Sequence, residues 1–136
     1  LVQMKRYPSM LQRRKEIIEQ YDAALSKEGI EVLNHYDNDH LSSGHLYITR
    51  IPNISLEQRQ AIIEQMAECG IATNVHYKPL PMMTAYKNLG FDIANFPNAY
   101  ARFANEITLP LHTKLTSEEV EYIMENYIRI TKQFMQ

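Results

Sequence analysis

Gly70-Ile71-Ala72-Thr73-Asn74-Val75-His76-Tyr77-Lys78-Pro79-Leu80-Pro81 holds the densest run of chemically capable side chains in this 136-residue sequence. Read as a strand, Ile71 to Tyr77 puts hydrogen-bonding groups on both faces, and Pro79 and Pro81 hold the following chain rigid. His76 can donate or accept a hydrogen bond. Tyr77 offers a flat apolar face and a hydroxyl tip. Two readings fit these residues: a hydrogen-bonded strand histidine beside a packed tyrosine, or a docking surface for a polar ligand.

No catalytic set assembles from the rest of the chain. The sequence has no G-x-G-x-x-G, no P-loop and no G-x-S-x-G. Its one cysteine, Cys69, excludes an internal disulfide and a multi-cysteine zinc motif, and suits a reducing compartment such as the cytoplasm. Cys69 ends an apolar helix pattern and is expected to be a buried structural thiol. His35, His40 and His45 are spaced by five, so no two share a helical face. A metal site there would need Asp37 or Asp39, and a surface loop is the simpler expectation. No metal ligand is assigned. His112, two residues after Pro110, reads as an exposed loop residue at a strand end.

These residues need elements to hold them. Tyr7, Leu11, Ile18, Tyr21 and Leu25 form one stripe of a helix running from Met4, with Pro8 in its first turn or at a kink and Gly29 as its stop. Ile30 to Tyr36 is a weak strand. His45 to Ile51 is a strong one, ended by Pro52, and the polar residues 37–44 between them are turn chemistry. Ser55 with Gln58 makes a capping box for a helix that turns Ile62, Ile63, Met66 and Ala67 to the core and stops at Gly70. A helical turn over Thr84 to Leu89, a short helix over Pro97 to Asn105 and a strand over Ile107 to Pro110 follow. Thr116 with Glu119 opens a last helix striped by Val120, Ile123, Tyr127, Ile130 and Phe134. The class is α/β (α+β): a small mixed or antiparallel sheet packed by helices.

Composition agrees with one globular domain, 45% hydrophobic and 22% charged. No run approaches the ~18 apolar residues that span a bilayer, and a formal charge of −2 gives no general cause to expect nucleic acid or a membrane as partner. Charge is uneven: Lys5, Arg6, Arg13, Arg14 and Lys15 are basic, while Glu118, Glu119, Glu121 and Glu125 are acidic. Both are expected to be solvated helix faces. The sequence begins Leu1-Val2-Gln3, without Met, and is expected to be trimmed or cut from something longer.

Several segments together resemble one family. Gly70 to Leu80 is similar to the G-I-x-T-x-V-H-Y-x-P-L stretch of DegT/StrS-type nucleotide-sugar aminotransferases. Ala85-Tyr86-Lys87 with Leu89-Gly90, Phe96-Pro97-Asn98-Ala99, Glu106-Ile107-Thr108-Leu109-Pro110-Leu111-His112 and Leu115-Thr116 with Glu118 to Ile123 resemble further motifs in family order. His45-Leu46-Tyr47 resembles an H-L-[YF] strand, and Leu1 to Met4 with Arg13-Arg14 resembles a connecting helix.

The resemblance implies the C-terminal small domain of a fold-type-I aminotransferase, with residues 1–28 as connecting helix and 29–136 as the domain. Pyridoxal 5'-phosphate (PLP) would sit on an absent large domain, since none of the seven lysines has the family's serine-x-lysine context. The fragment alone would be inactive. By resemblance His76 and Tyr77, with Asn74 and His45, face the cleft and position the sugar or its nucleotide without moving protons. Many members have a histidine where Pro81 stands, so that contact does not carry over. The implied enzyme is a cytoplasmic homodimer of cell-envelope polysaccharide biosynthesis, moving an amino group from a donor such as glutamate to a nucleotide-linked keto sugar. A domain cut from its partner is expected to self-associate through the Met4 to Leu25 stripe and Met82-Met83. Two other readings stay open: a free-standing polar-ligand module, and a protein whose basic first helix docks on an acidic partner.

Overall fold

Helix α1 spans Val2–Leu25 and packs its C-terminal half on the rest of the chain. The computed structural model describes residues 2–135, so Leu1, the first residue of the connecting-helix motif, lies outside the described residues. Ile17, Ile18, Tyr21 and Leu25 are buried, whereas Met4 and Tyr7 at the head of the expected stripe are exposed. Pro8 lies six residues into the helix, past its first turn, and the helix runs through it. A single 3-10 turn, Ser26–Glu28, closes on Gly29, whose left-handed backbone (φ 75°) L side chains rarely adopt.

Strand β1 (Glu31–Val32), β2 (Tyr47–Arg50) and, much later, β3 (Glu106–Leu109) form an antiparallel sheet in the order β1-β2-β3. Tyr47 lies opposite Leu109, and Arg50 opposite Glu106. The sheet is antiparallel, with helices packed against it, as the sequence implied. It has three strands rather than four. Ile71 to Tyr77 is not a strand: only Asn74 bridges to Thr108, because beyond that pair the chain turns in beneath Glu106 instead of running along β3. The weak strand shrinks to two residues, with an isolated bridge from Tyr36 to Leu41.

Helix α2 (Leu56–Glu68) and helix α5 (Ser117–Thr131) both start with reciprocal capping boxes. Ser55 Oγ accepts from the Gln58 N–H at 3.2 Å while Gln58 Oε1 accepts from the Ser55 N–H at 2.8 Å; Thr116 and Glu119 repeat the arrangement. Each cap contributes about 1 kcal/mol. At the far end of α2, the Gly70 N–H reaches the Ala67 carbonyl and the Ile71 N–H the Met66 carbonyl, both at 2.9 Å, a Schellman closure on a left-handed glycine. Ala67 faces outward, contrary to its place in the apolar pattern, while Ile62 and Met66 are buried. Cys69 is half-buried rather than buried, and the Arg129 guanidinium approaches its sulfur at 3.5 Å.

Helix α3 (Thr84–Asn88) and helix α4 (Pro97–Ala104) sit in the excursion between α2 and β3. The core joins α1, α2, the sheet and the α5 stripe of Val120, Ile123, Tyr127 and Ile130. Its largest members each contribute about 2 kcal/mol on burial. A polar chain crosses it: Tyr127 Oη meets Thr49 Oγ1 at 2.6 Å, and the Thr49 hydroxyl donates to the Ile107 carbonyl at 2.7 Å.

Candidate functional site

Glu106 opens β3 and is buried, an unusual place for a carboxylate. It is satisfied from its own chain. Both carboxylate oxygens accept the His76 backbone N–H at 3.1 Å, and Oε1 accepts the Thr108 hydroxyl at 2.8 Å. Thr108 has one proton to give and gives it to Glu106. The 2.9 Å contact between Thr108 Oγ1 and His76 Nδ1 therefore takes its proton from Nδ1. Nε2 is the ring nitrogen left for a ligand.

Behind this network lies Arg59 of α2, also buried. Its Nη1 donates to the Phe103 carbonyl at 3.1 Å, and its guanidinium sits 4.6 Å from the Phe103 ring centroid. Burial pulls its pKa down, and the Glu106 charge pulls it back up. Arg59 thus sits in a poorly solvated region within reach of the Glu106 charge, without a direct ion pair between them.

His76 and Tyr77 come together in one cleft of about 350 Å³, walled also by Leu33, Ile48, Arg50 and Phe103. Their peptide bond is cis, and the two rings meet edge to face with centroids 4.7 Å apart. Tyr77 is 70% exposed, so its ring forms a shelf rather than part of the core. Asn74 precedes them on the same segment, yet its side-chain oxygen accepts the Val75 N–H at 2.8 Å and it does not line the cleft. His45 is exposed two residues before β2, at the Leu109 end of the sheet, while His76 is held at the Glu106 end. The structure groups His76 with Tyr77 and leaves Asn74 and His45 outside the cleft.

The other histidines divide. His35 is buried, not part of a surface loop: Nδ1 pairs with Ser42 Oγ at 3.0 Å and the ring stacks on Tyr47. Burial lowers its pKa, Asp22 raises it, and His40 lowers it further. His40 is exposed and bonds Asp37 Oδ2 at 2.8 Å. Among the described residues, no three metal-binding side chains converge. His112 is exposed and lines a separate cavity of about 530 Å³ with Ile71, Leu115 and Tyr122. The basic head of α1 is not wholly a solvated face. Arg13 and Arg14 are half-buried and donate to the Leu115 carbonyl at 2.7 Å and the Ser43 carbonyl at 3.2 Å.

Residues 1–127 match the model of the DegT/DnrJ/EryC1/StrS aminotransferase family. The chain belongs to this family. Spr1654 of Streptococcus pneumoniae, assigned as a sugar aminotransferase and solved in its PLP form, superposes with a TM-score of 0.96 and 56% identity, over all of this chain and 35% of its own. A Helicobacter pylori UDP-4-amino-4,6-dideoxy-N-acetyl-beta-L-altrosamine transaminase is 29% identical over 98% of this chain and 36% of its own. The Bacillus subtilis spore coat polysaccharide biosynthesis protein SpsC is 27% identical over 97% and 35%. The chain therefore spans about a third of the length of the relatives it matches. Among the described residues, no helix is long and apolar enough to cross a membrane.

The family is PLP-dependent, and PLP needs a lysine for its Schiff base, an acid at its ring nitrogen and groups for its phosphate. The residues of this chain do not fit that role. No lysine lines the cleft: Lys15 is half-buried and paired with Glu19 at 3.8 Å, and the other six are exposed. Glu106, the carboxylate at the cleft, already accepts three hydrogen bonds from its own chain.

Sequence reasoning missed Glu106, Arg59 and, on the cleft wall, Arg50 and Arg102 as site residues. Glu106 left a readable signal, a carboxylate directly ahead of the apolar strand Ile107-Thr108-Leu109. Arg59 left none, since an arginine in a helix is ordinarily solvent-facing.

Proposed function

We propose that this chain is the C-terminal small domain of a PLP-dependent aminotransferase, with 1–28 as connecting helix, 29–136 as the domain and the PLP-binding large domain outside it. The complete enzyme moves an amino group from a donor such as glutamate to a keto sugar carried on a nucleotide. It works in the cytoplasm, as a homodimer, in polysaccharide biosynthesis. The observation that carries this reading is the pairing of a family match over 127 residues with a cleft in which His76 and Tyr77 face solvent. His76 presents Nε2 because Glu106 and Thr108 hold its backbone and its Nδ1; Tyr77 presents its ring face beside it. Their task is to bind and orient the sugar or its nucleotide. Asn74 and His45, implied by the same resemblance, enter this reading only as outer contacts.

The test is amino transfer itself. The complete protein, supplied with PLP, glutamate and a nucleotide-linked 4-keto sugar, should produce 2-oxoglutarate and the amino sugar, while the 136-residue chain alone should produce neither. A complete protein that binds PLP yet converts no nucleotide-linked keto sugar overturns the reading.

A further inference from the structure

We propose that Thr108 is a positioning residue that, with Glu106, locks the His76 ring in the tautomer whose cleft-facing nitrogen can only accept a hydrogen bond. The tautomer stands on geometry alone; its consequence for substrate rests on the reading above. Thr108 lies within β3 and is buried. Its N–H donates to the Asn74 carbonyl at 2.8 Å, and its carbonyl accepts the Asn74 N–H at 3.1 Å. Glu106, two residues earlier and so on the same face of the strand, accepts the His76 N–H at 3.1 Å. The segment is pinned at both 74 and 76, which sets the Thr108 hydroxyl 2.9 Å from His76 Nδ1.

A histidine in water carries its neutral proton mostly on Nε2, unless a bond at the other nitrogen decides otherwise. Here one does. Thr108 donates its single proton to Glu106 Oε1 at 2.8 Å, so Nδ1 must be the donor to Thr108. The chain of bonds runs one way, from imidazole to hydroxyl to carboxylate, and each bond polarises the next. Reversing it would take a donor from a buried carboxylate.

The rest of the cleft makes that choice matter. Arg50 and Arg102, on its wall, are donors only. Glu106 is engaged by His76 and Thr108. His76 Nε2 therefore adds an acceptor to a wall of donors, and reads a group with a proton to give, a hydroxyl or an N–H. With its proton on Nε2 the same ring would donate, and would favour an oxygen that carries no proton. Buried Thr108 decides between the two.

Long-range proton–nitrogen NMR of this chain, labelled with ¹⁵N at its five histidines, reads the tautomer at about pH 8, where an ordinary histidine is neutral. His76→Gln identifies the signal. His76 should carry its proton on Nδ1; Thr108→Ser should keep that pattern, and Thr108→Val should move the proton toward Nε2. In the complete enzyme Thr108→Val should lower kcat/KM about tenfold and Thr108→Ser much less. Once His76 is replaced by Ala, Thr108→Val should cost nothing further, because Thr108 acts through His76. The unsubstituted chain and Thr108→Ser decide the tautomer even if Thr108→Val fails to fold. A proton on Nε2 in the unsubstituted chain, a tautomer indifferent to Thr108→Val, or an equal Thr108→Val loss with and without His76→Ala each overturns the inference. An active complete enzyme with the proton on Nε2 sinks only this inference. The proton on Nδ1 beside a complete protein that transfers no amino group sinks only the function proposed above.

Discussion

The carboxylate of Glu106 accepts the backbone N–H of His76 with both oxygens at 3.1 Å, tying the first residue of β3 to a segment 30 positions earlier. This bond fixes where the His76 ring stands, and Thr108 then fixes how it is turned. Replacing Glu106 by Ala removes the acceptor of both the His76 N–H and the Thr108 hydroxyl, so about 3 kcal/mol of stability should be lost. Glu106→Gln keeps one acceptor oxygen and should lose about half as much. Urea denaturation of both variants checks the order, and equal losses would contradict it.

The core contact between Thr49 and Tyr127 predicts an asymmetry. Tyr127→Phe leaves Thr49 still donating to the Ile107 carbonyl, and should cost about 1 kcal/mol. Thr49→Val strands the tyrosine hydroxyl in the core and should cost about 2 kcal/mol. In the double variant both polar groups are gone, so its loss should fall short of the sum. Additive losses would show that the hydroxyls are not coupled.

Two histidines of one loop should give stability opposite pH dependences. Burial holds the His35 pKa below its ordinary 6.5, so the unfolded chain takes up the extra proton first as pH falls through that value. Stability from His35 is complete above 6.5 and is lost in acid. The Asn34 carbonyl and then Asp37 raise the pKa of exposed His40, whose contribution is present below 6.5 and fades as pH rises through the raised value. Against the unsubstituted chain, His35→Asn should make denaturation midpoints between about pH 5 and pH 7.5 rise less, or fall more, as pH increases, and His40→Asn should do the reverse. A His35→Asn protein with an unchanged slope would contradict the assignment.

Apolar surface predicts self-association of the isolated chain, at a place the sequence only half indicated. From Ile17 onward α1 is covered, leaving Val2, Met4 and Tyr7 exposed, and Met82 is half-buried beside exposed Met83. The larger exposed set is Tyr77, Leu80, Leu89, Phe91, Phe96 and Tyr100, on the excursion that carries α3 and α4. Sedimentation should show concentration-dependent association, reduced by Leu80→Glu with Leu89→Glu. A monomer at every concentration would contradict this.

What was legible in the sequence was what is local. Ser55 with Gln58, Thr116 with Glu119, and Gly70 after Cys69 act within one helical turn, so their residues announce the helix ends unaided. Ile71 to Tyr77 misled because polar alternation reads the same in a strand as in a segment bonded at one bridge; the difference lies in Glu106, far along the chain. His35 misled likewise: its burial comes from Tyr47 stacking on it across the loop. His76 and Tyr77 could be singled out from their neighbours, whereas the cleft they share with Arg50, Arg102 and Phe103 exists only once α4 is folded against the sheet.

The role proposed for His76 and Tyr77 is to position a nucleotide-linked sugar. The decisive measurement is kcat/KM for amination of that substrate in the complete enzyme bearing His76→Ala or Tyr77→Phe. His76→Ala should lower kcat/KM at least tenfold, the loss of one oriented hydrogen bond to substrate, with Tyr77→Phe lowering it less. Unchanged kcat/KM in both variants would show that neither side chain positions the substrate.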